Sequence, residues 1–284
     1  MFDFHQKRAE IFRDTQTLYT ESNLLRAAVK KSRDETRLYA VDDYPELNRH
    51  PDRDGLVTVT AARTFEAAMK LHGEYPGKRI AVLNFASATC PGGGVLKGSG
   101  AQEESLCRCS TLYPTLDQEK IWKSFYDVNR KTGNSVHTDD CIYSPGVIIC
   151  KTDVLFPERM EESAYVEIDV ITCAAPNLNE RGSNRFNIEN GGKVAVSPAE
   201  LFGIHVKRGK HILHVAAANE ADVVVLGAFG CGAFKNDPHV VANAYRTVLS
   251  EYAKYFDRVD FAIYCGEQNR PNRTNYDAFR EKLA

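Results

Sequence analysis

Residues 84–109 read NFASATCPGGGVLKGSGAQEESLCRC. Three consecutive glycines at 92–94 are followed, after seven residues, by the sequence QEE at 102–104. The apolar run 79–85 before them, with β-branched residues and turn formers on its flanks, is typical of a buried strand. Residues 104–113 after them have the composition of a helix. The sequence therefore predicts a strand, a glycine-rich loop and a helix in direct succession.

This loop has the features of a binding site for a sugar or a phosphate group. Glycine allows positive φ and lets a ligand approach the backbone closely. The first turn of the helix that follows leaves backbone N–H groups unpaired and pointing outward. Three glycines in a row also exceed what one tight turn requires.

A second block has the same arrangement. Residues 226–238, LGAFGCGAFKNDP, follow the apolar run DVVVL and precede a predicted helix at 239–256. The loop presents a row of backbone amides to which a diphosphate could bind. Asn236 and Asp237 could alternatively do no more than cap the helix.

Together the two blocks resemble the signature of the poly(ADP-ribose) glycohydrolases of the small bacterial type, which are built on a macrodomain. The resemblance runs from Glu35 to the C-terminus. It implies poly(ADP-ribose) or ADP-ribosylated macromolecules as substrate, ADP-ribose as product, and no cofactor. The substrate-binding residues that it implies, or that the two loops provide, are Asn84, Gly92, Gly93, Gly94, Gln102, Gly230, Cys231, Gly232, Ala233 and Phe234.

The resemblance also assigns roles to the adjacent carboxylates. It implies that Glu104 is the catalytic acid, that Glu103 contacts the ribose being released, and that Asn84 touches the terminal ribose. The alternatives are that acids simply favour a helix N-terminus and that Asn84 caps a turn. A general acid must be protonated, and we expect desolvation by substrate, the neighbouring Glu103 and the diphosphate to raise the pKa of Glu104 more than the helix terminus lowers it.

Composition restricts the class of protein. Of the 284 residues, 43% are hydrophobic and 26% are charged, and the net charge of −2 provides no basic field for sequence-specific nucleic acid binding. No apolar run approaches the roughly 20 residues that span a membrane, and the N-terminus lacks the apolar segment of a signal peptide. We expect an intracellular, cytoplasmic protein, with nuclear access if the source is eukaryotic, and eight reduced cysteines.

Strand-like and helix-like segments alternate along the chain. Residues 3–33 are helical in composition, and later apolar runs at 146–153, 167–177 and 258–265 alternate with helical patterns. This alternation implies a sheet covered on both faces. The predicted fold is therefore α/β, a three-layer α/β/α mixed sheet like that of a macrodomain. We expect one domain over 1–284, with 1–34 as an N-terminal helical extension packed on it.

Metal ligation and nucleophilic catalysis are disfavoured. A helix directs the sulfurs of Cys107 and Cys109 to different sides, so these cysteines do not suit a zinc site. His211 and His214 share a helix face, but their apolar neighbours indicate packing. Ser144 and Ser197 show no nucleophile signature.

Three functions fit the two loops: hydrolysis of the polymer's ribose–ribose bonds, hydrolysis of single ADP-ribose groups on protein or nucleic acid, and ADP-ribose binding without cleavage. Two acids beside an anionic ligand argue against the binding module, because burying them without a chemical use costs free energy. The resemblance therefore implies a poly(ADP-ribose) glycohydrolase with a glutamate general acid, and a hydrolase of single ADP-ribose groups is the near alternative.

Overall fold

The computed structural model describes residues 3–48, 51, 54–180, 192, 194–265 and 270–284. Within these residues seven strands form one mixed sheet in the order β1-β4-β5-β3-β6-β7-β2. The strands are β1 (Arg37–Tyr39), β2 (Leu56–Thr60), β3 (Ile80–Phe85), β4 (Cys141–Ile149), β5 (Val166–Cys173), β6 (Val223–Leu226) and β7 (Arg258–Ala262).

The central strands are parallel and buried on both faces. β3 pairs in parallel with β5 and β6, and β7 pairs in parallel with β6 and β2. Their apolar sequences fit this position, because helices cover both faces of a parallel sheet. Alternate residues of β3 contribute to two separate cores: Ala81 and Leu83 to one, Ile80 and Val82 to the other.

Helices form the two outer layers. The first core receives α8 (Pro198–Ala218), α9 (Pro238–Tyr252) and α10 (Arg270–Leu283), and the second receives α3 (Thr64–Glu74), α4 (Gln102–Cys109) and α5 (Leu112–Leu116). This is the predicted three-layer α/β/α arrangement. The single-domain division 1–284 stays a prediction.

The strand predicted at 146–153 was misplaced. β4 instead begins at Cys141, and its pairing with β5 shifts register between Ser144 and Val147. Gly146 lies at this irregularity with φ of 66°, and its N–H donates to Asp169 Oδ1 at 2.9 Å. Pro145 and Gly146 look like the end of a strand in sequence, but the antiparallel pairing of β4 with β5 accommodates them as a bulge.

The predicted helix Gln118–Lys131 is present with an irregular centre. It comprises α6 (Glu119–Ile121), a π-helical segment Trp122–Tyr126, and α7 (Asp127–Thr132). The side chain of Arg130, in α7, donates a hydrogen bond from Nε to Thr89 O at 2.7 Å. The helix is thereby connected to the loop that follows β3.

The N-terminal residues form two helices, α1 (Phe4–Glu21) and α2 (Asn23–Glu35), separated at Ser22. α1 lies against the glycine-rich loop and α4. His5 Nδ1 is 3.1 Å from Gly98 O, and Thr15 Oγ1 donates to Arg108 O at 2.6 Å. A Cβ on Gly98 would be 1.9 Å from the carbonyl oxygen of His5, so the loop and the helix touch through their backbones.

Buried charges hold α1 in place. The ammonium of Lys151, which is 1% exposed, donates to Ile11 O at 2.9 Å and pairs with Asp14 at 2.7 Å. Asp14 also accepts two hydrogen bonds from Arg159, which with Lys151 lower its pKa to about 2. No described helix has both the length and the apolar character needed to cross a membrane.

Candidate active site

A cavity of about 590 Å³ lies at the carboxyl ends of β3, β6 and β7. Ligands in open α/β sheets collect at such strand ends. Both glycine-containing loops contribute to its wall, as the strand-loop-helix pattern predicts. Eight of the predicted site residues line it: Gly93, Gln102, Glu103, Glu104, Gly230, Gly232, Ala233 and Phe234.

The other four predicted residues, Asn84, Gly92, Gly94 and Cys231, are not part of this wall. Asn84 is fully buried, and its Nδ2 donates to Thr172 Oγ1 at 3.1 Å and to Glu103 Oε1 at 3.3 Å. Its side chain thus reaches the carboxylate of Glu103. A direct contact of Asn84 with a ribose stays a prediction.

The glycine-rich loop is shaped around Glu104. Gly92 and Gly93 have φ of 65° and 53°, in the left-handed region that glycine occupies at low cost. The next residue, Gly94, donates its N–H to Glu104 Oε1 at 2.9 Å. A Cβ on Gly93 would lie 2.7 Å from that same oxygen, so only a glycine leaves room for the carboxylate.

Gln102 attaches the start of α4 to the end of β3. Its Oε1 accepts from Phe85 N at 2.9 Å, and its Nε2 donates to Leu83 O at 2.8 Å and to Thr64 Oγ1 at 3.1 Å. These contacts use both amide hydrogens and the carbonyl oxygen. We therefore propose that Gln102 positions the two glutamates that follow it, whereas the sequence analysis placed it among the substrate-binding residues.

Both oxygens of Glu103 accept hydrogen bonds within the protein. Ser87 N donates to Oε2 at 2.7 Å, and Asn84 Nδ2 donates to Oε1. The residue is 2% exposed. Burial, and after it the neighbouring Glu104 carboxylate, raise the pKa of Glu103 well above its ordinary value, although its hydrogen bonds oppose this.

The second carboxyl group is arranged differently. Glu104 is 6% exposed and lines the cavity. Its Oε1 accepts from Gly94 N, whereas its Oε2 is buried and has no hydrogen-bond partner among the described residues. A buried carboxyl oxygen without a partner is costly unless it is protonated or meets a ligand. Glu104 therefore has one oxygen free for chemistry.

Asn236 shapes the second loop. Its Nδ2 is within hydrogen-bond distance of three carbonyl oxygens, those of Pro176, Gly230 and Phe234, at 2.7, 3.2 and 3.1 Å. The Oδ1 of Asn236 is consequently the acceptor for His205 Nε2 at 2.7 Å. Burial lowers the pKa of His205 to about 4, which keeps the ring neutral with its proton on Nε2. The two residues hold the loop between β6 and α9.

Asp237, next in the chain, is the N-cap of α9 and accepts from the N–H groups of His239 and Val240. The capping alternative is thus correct for Asp237, whereas Asn236 has the loop-shaping role. Gly230 has φ of 78°, and a Cβ there would be 2.7 Å from that of Ala175. At Gly232 a Cβ would meet no atom of the residues that the structure describes within 4 Å.

Sequence reasoning missed three further residues at the site. Asp153 lines the cavity and accepts from Phe65 N at 2.9 Å and Ser105 Oγ at 3.3 Å. Ser87 contacts Glu103, and His205 contacts Asn236. Asp153 and His205 lie far in sequence from the groups that they contact. Ser87 lies within residues 84–109 but at neither the glycine nor the QEE positions of the motif, so no local pattern indicated any of the three.

The two cysteines and two histidines considered above as metal ligands lie within the fold. All eight cysteines are free thiols, and Cys107 and Cys109 are buried. His211 Nδ1 is 2.8 Å from Asp139 O, and His214 Nε2 is 2.7 Å from Pro45 O. In the part of the chain that the structure describes, no three histidine, cysteine or acidic side chains form a metal-binding group.

Comparison with known proteins agrees with this geometry. Residues 6–152 match the family model described as microbial-type PARG, catalytic domain. No curated protein sequence matches the chain.

Solved structures of the same family superpose over nearly the whole chain. Poly(ADP-ribose) glycohydrolase from Thermomonospora curvata is 29% identical, with a TM-score of 0.82 over 98% of this chain and 99% of its own. A second structure of that protein, bound to the inhibitor ADP-HPD, is 29% identical, with a TM-score of 0.79 over 97% and 99%. The Deinococcus radiodurans enzyme in complex with ADP-ribose is 34% identical, with a TM-score of 0.73 over 89% and 96%. This chain belongs to the microbial-type poly(ADP-ribose) glycohydrolase family.

Proposed function

We propose that this chain hydrolyses the ribose–ribose O-glycosidic bonds of poly(ADP-ribose) and releases ADP-ribose. The observation that carries the proposal is the Oε2 of Glu104, which has no hydrogen-bond partner among the described residues and is held at the cavity by Gly94 and the helix start. The cavity volume of about 590 Å³ is in the usual range for small-molecule sites and suits one ADP-ribose unit. Family members from the two named bacteria bind ADP-ribose or the inhibitor ADP-HPD.

Glu104 is the general acid in this proposal. Its Oε2 proton passes to the leaving ribose oxygen as the bond between that oxygen and the anomeric carbon breaks. Water then adds to the anomeric carbon, and the Glu104 carboxylate takes up the proton that the water loses. The side chain thus returns to its starting state, with one bond broken and one water consumed.

The two glutamates are held by different hydrogen bonds. Both Glu103 oxygens accept from N–H donors, whereas Glu104 Oε2 accepts from none in the part of the chain that the structure describes. Burial and the adjacent carboxylate raise the pKa of Glu103 well above its ordinary value. The Oε2 of Glu104 is therefore the carboxyl oxygen that is free to reach the leaving ribose oxygen, and Glu103 contacts the ribose in this proposal.

The second loop binds the diphosphate in this proposal. Gly230 lets the backbone between β6 and α9 pack against Ala175, and at Gly232 no atom of the described residues lies within 4 Å of the Cβ position, so the loop is open to a ligand there. Phe234 borders the cavity, with His137 5.8 Å away between ring centroids, and provides an apolar surface for a ribose or base. Eight free cysteines are consistent with an intracellular, reducing compartment, which we also propose.

Two incubations test this function: one with defined poly(ADP-ribose) and one with protein that carries single ADP-ribose groups. We expect ADP-ribose to be released from the polymer while the protein-linked first unit remains. Release from both substrates at similar rates would favour the hydrolase of single groups. Binding of ADP-ribose with no release from either would favour the binding module.

The raised pKa of Glu103 also predicts how stability depends on pH. Between its ordinary value of 4.5 and its raised value, the folded protein binds more protons than the unfolded chain. The free energy of unfolding should therefore fall as pH rises through that interval. Glu103→Gln should remove this component, and the exposed substitution Glu10→Gln should not. Urea unfolding of the three proteins across pH measures this. Parallel curves for Glu103→Gln and the parent would contradict the raised pKa.

A further inference from the structure

Lys235 directly follows the loop residue Phe234, and it lines the cavity. Its φ is 60°, in the left-handed region where the Cβ of a lysine crowds the following carbonyl oxygen. The turn is closed by a hydrogen bond from Lys235 N to Gly232 O at 3.3 Å. Glycine or asparagine would occupy this backbone position at lower cost. The turn itself therefore does not account for a lysine here.

The charges around the cavity make this side chain distinctive. Among the described residues of the wall, Arg63 and Lys235 carry the positive charges, against the carboxyl groups of Glu103, Glu104 and Asp153. Arg63 is occupied, because its guanidinium lies over the ring of Tyr264 at 4.2 Å. An anionic ligand that enters this cleft therefore meets more acid than free base.

The ammonium of Lys235 is available to such a ligand. The side chain is exposed and makes no ion pair or hydrogen bond with any residue that the structure describes. Strained backbone positions persist where function requires them. A flexible ammonium is also a point charge that can follow a phosphate group without a fixed geometry.

We propose that the Lys235 ammonium binds a phosphate oxygen of the ADP-ribose diphosphate and supplies a positive charge that the backbone amides of the loop lack. The inference rests on the proposed function and adds to it a side chain that sets affinity for substrate. Two diphosphates share this chemistry: that of the unit in the cleft and that of the next unit of the polymer. The position of Lys235 in the loop favours the unit in the cleft.

The test compares Lys235→Asn, which fits the left-handed backbone without charge, with Lys235→Arg, which keeps the charge. The dissociation constant for ADP-ribose is measured by calorimetry at low and high salt, and KM and kcat are measured for polymer hydrolysis. We expect Lys235→Asn to weaken ADP-ribose binding by about three- to tenfold at low salt. Its affinity should also depend less on salt, because screening acts on the lost contact.

Several outcomes distinguish this role from a structural one. Lys235→Arg should bind ADP-ribose with an affinity near that of the parent, and kcat should be unchanged in both Lys235 variants. The control Lys30→Gln, which removes an exposed charge on α2, should have no effect on affinity or kinetics. Lys235→Asn should not lower the melting temperature, because asparagine tolerates the positive φ. Parent-like ADP-ribose affinity and salt dependence in Lys235→Asn, together with an unchanged KM for polymer, would overturn the proposal.

Comparing the measurements with ADP-ribose and with polymer distinguishes the two diphosphates. If Lys235→Asn weakens ADP-ribose binding and also raises the KM for polymer, Lys235 contacts the diphosphate of the unit in the cleft. If it raises the KM alone, Lys235 contacts the diphosphate of the next polymer unit. If the parent binds ADP-ribose with the expected dependence on Lys235 but does not hydrolyse polymer, the proposed function fails and this inference stands. If the parent hydrolyses polymer and the substitution changes nothing, the inference alone fails.

Discussion

Glu104→Gln is expected to reduce hydrolysis of poly(ADP-ribose) by at least about a hundredfold and to leave ADP-ribose binding nearly unchanged. Glutamine keeps the size of the side chain, and its Oε1 can still accept from Gly94 N, but it has no acidic proton to deliver. General acid catalysis contributes about 10² to 10⁴-fold, or roughly 2.7 to 5.5 kcal/mol of the barrier. Initial rates with defined polymer and calorimetry with ADP-ribose measure the two effects.

The neighbouring Glu103→Gln is the matched control. It removes an equally buried carboxylate one position away, whose contacts with Ser87 N and Asn84 Nδ2 indicate a positioning role. Its rate should fall by a smaller factor. A Glu104→Gln enzyme that works near the parent rate, beside an inactive Glu103→Gln enzyme, would show that the roles are reversed. An inactive parent that still binds ADP-ribose would point to the binding module.

Gly93→Ala should also impair catalysis strongly, by a different route. The residue has φ of 53°, which costs an alanine roughly 1–2 kcal/mol. The new Cβ would in addition lie 2.7 Å from Glu104 Oε1 and 3.1 Å from Glu103 Oε2. Either the loop or the carboxylate must move, and a misplaced acid costs rate. We expect kcat to fall by at least about tenfold, which corresponds to roughly 1.4 kcal/mol of barrier.

The control for this substitution is Gly73→Ala in α3, where a Cβ meets no atom within 4 Å in the described part of the chain. That change should stabilise the fold slightly, by up to about 1 kcal/mol, because alanine favours a helix over glycine. Kinetic measurements on both variants report whether Glu104 is misplaced, and thermal unfolding reports whether the fold is destabilised. Gly93→Ala with the parent kcat would show that the loop does not fix the position of Glu104.

Much of this fold could be predicted because its signals are local. The run 79–85 and the run DVVVL are apolar, short and flanked by turn formers, and both became buried parallel strands, β3 and β6. A serine followed by a proline is a usual signal for a helix start, and α8 does begin at Pro198, with Ser197 forming a capping box with Glu200. The position of both loops at the cavity followed from the same patterns, since the carboxyl ends of parallel strands meet at one edge.

The remaining features depend on contacts between residues that are far apart in sequence. The bulge in β4 depends on Asp169 of β5, which binds Gly146 N. The shape of the second loop depends on His205, which is 31 residues from Asn236. Gln102 stands inside the recognised motif, yet its amide is occupied by β3 and by Thr64. Motif membership shows that a residue matters but not which group it contacts.

The packing of α1 on the glycine-rich loop has a consequence for the order of folding. His5 and Gly98 are separated by 93 positions, and they meet both through the imidazole Nδ1 of His5, which is 3.1 Å from Gly98 O, and through a close approach of the two backbones. Closing so long a loop costs entropy before the contact returns any free energy, and contacts of this range form slowly. The helices can form from local contacts, whereas the sheet also pairs strands that are far apart, such as Leu56 in β2 with Arg258 in β7. Catalytic competence should therefore arise in a late step, when the distant strands have paired and the first helix docks, and refolding chains should regain their helical structure well before they regain turnover.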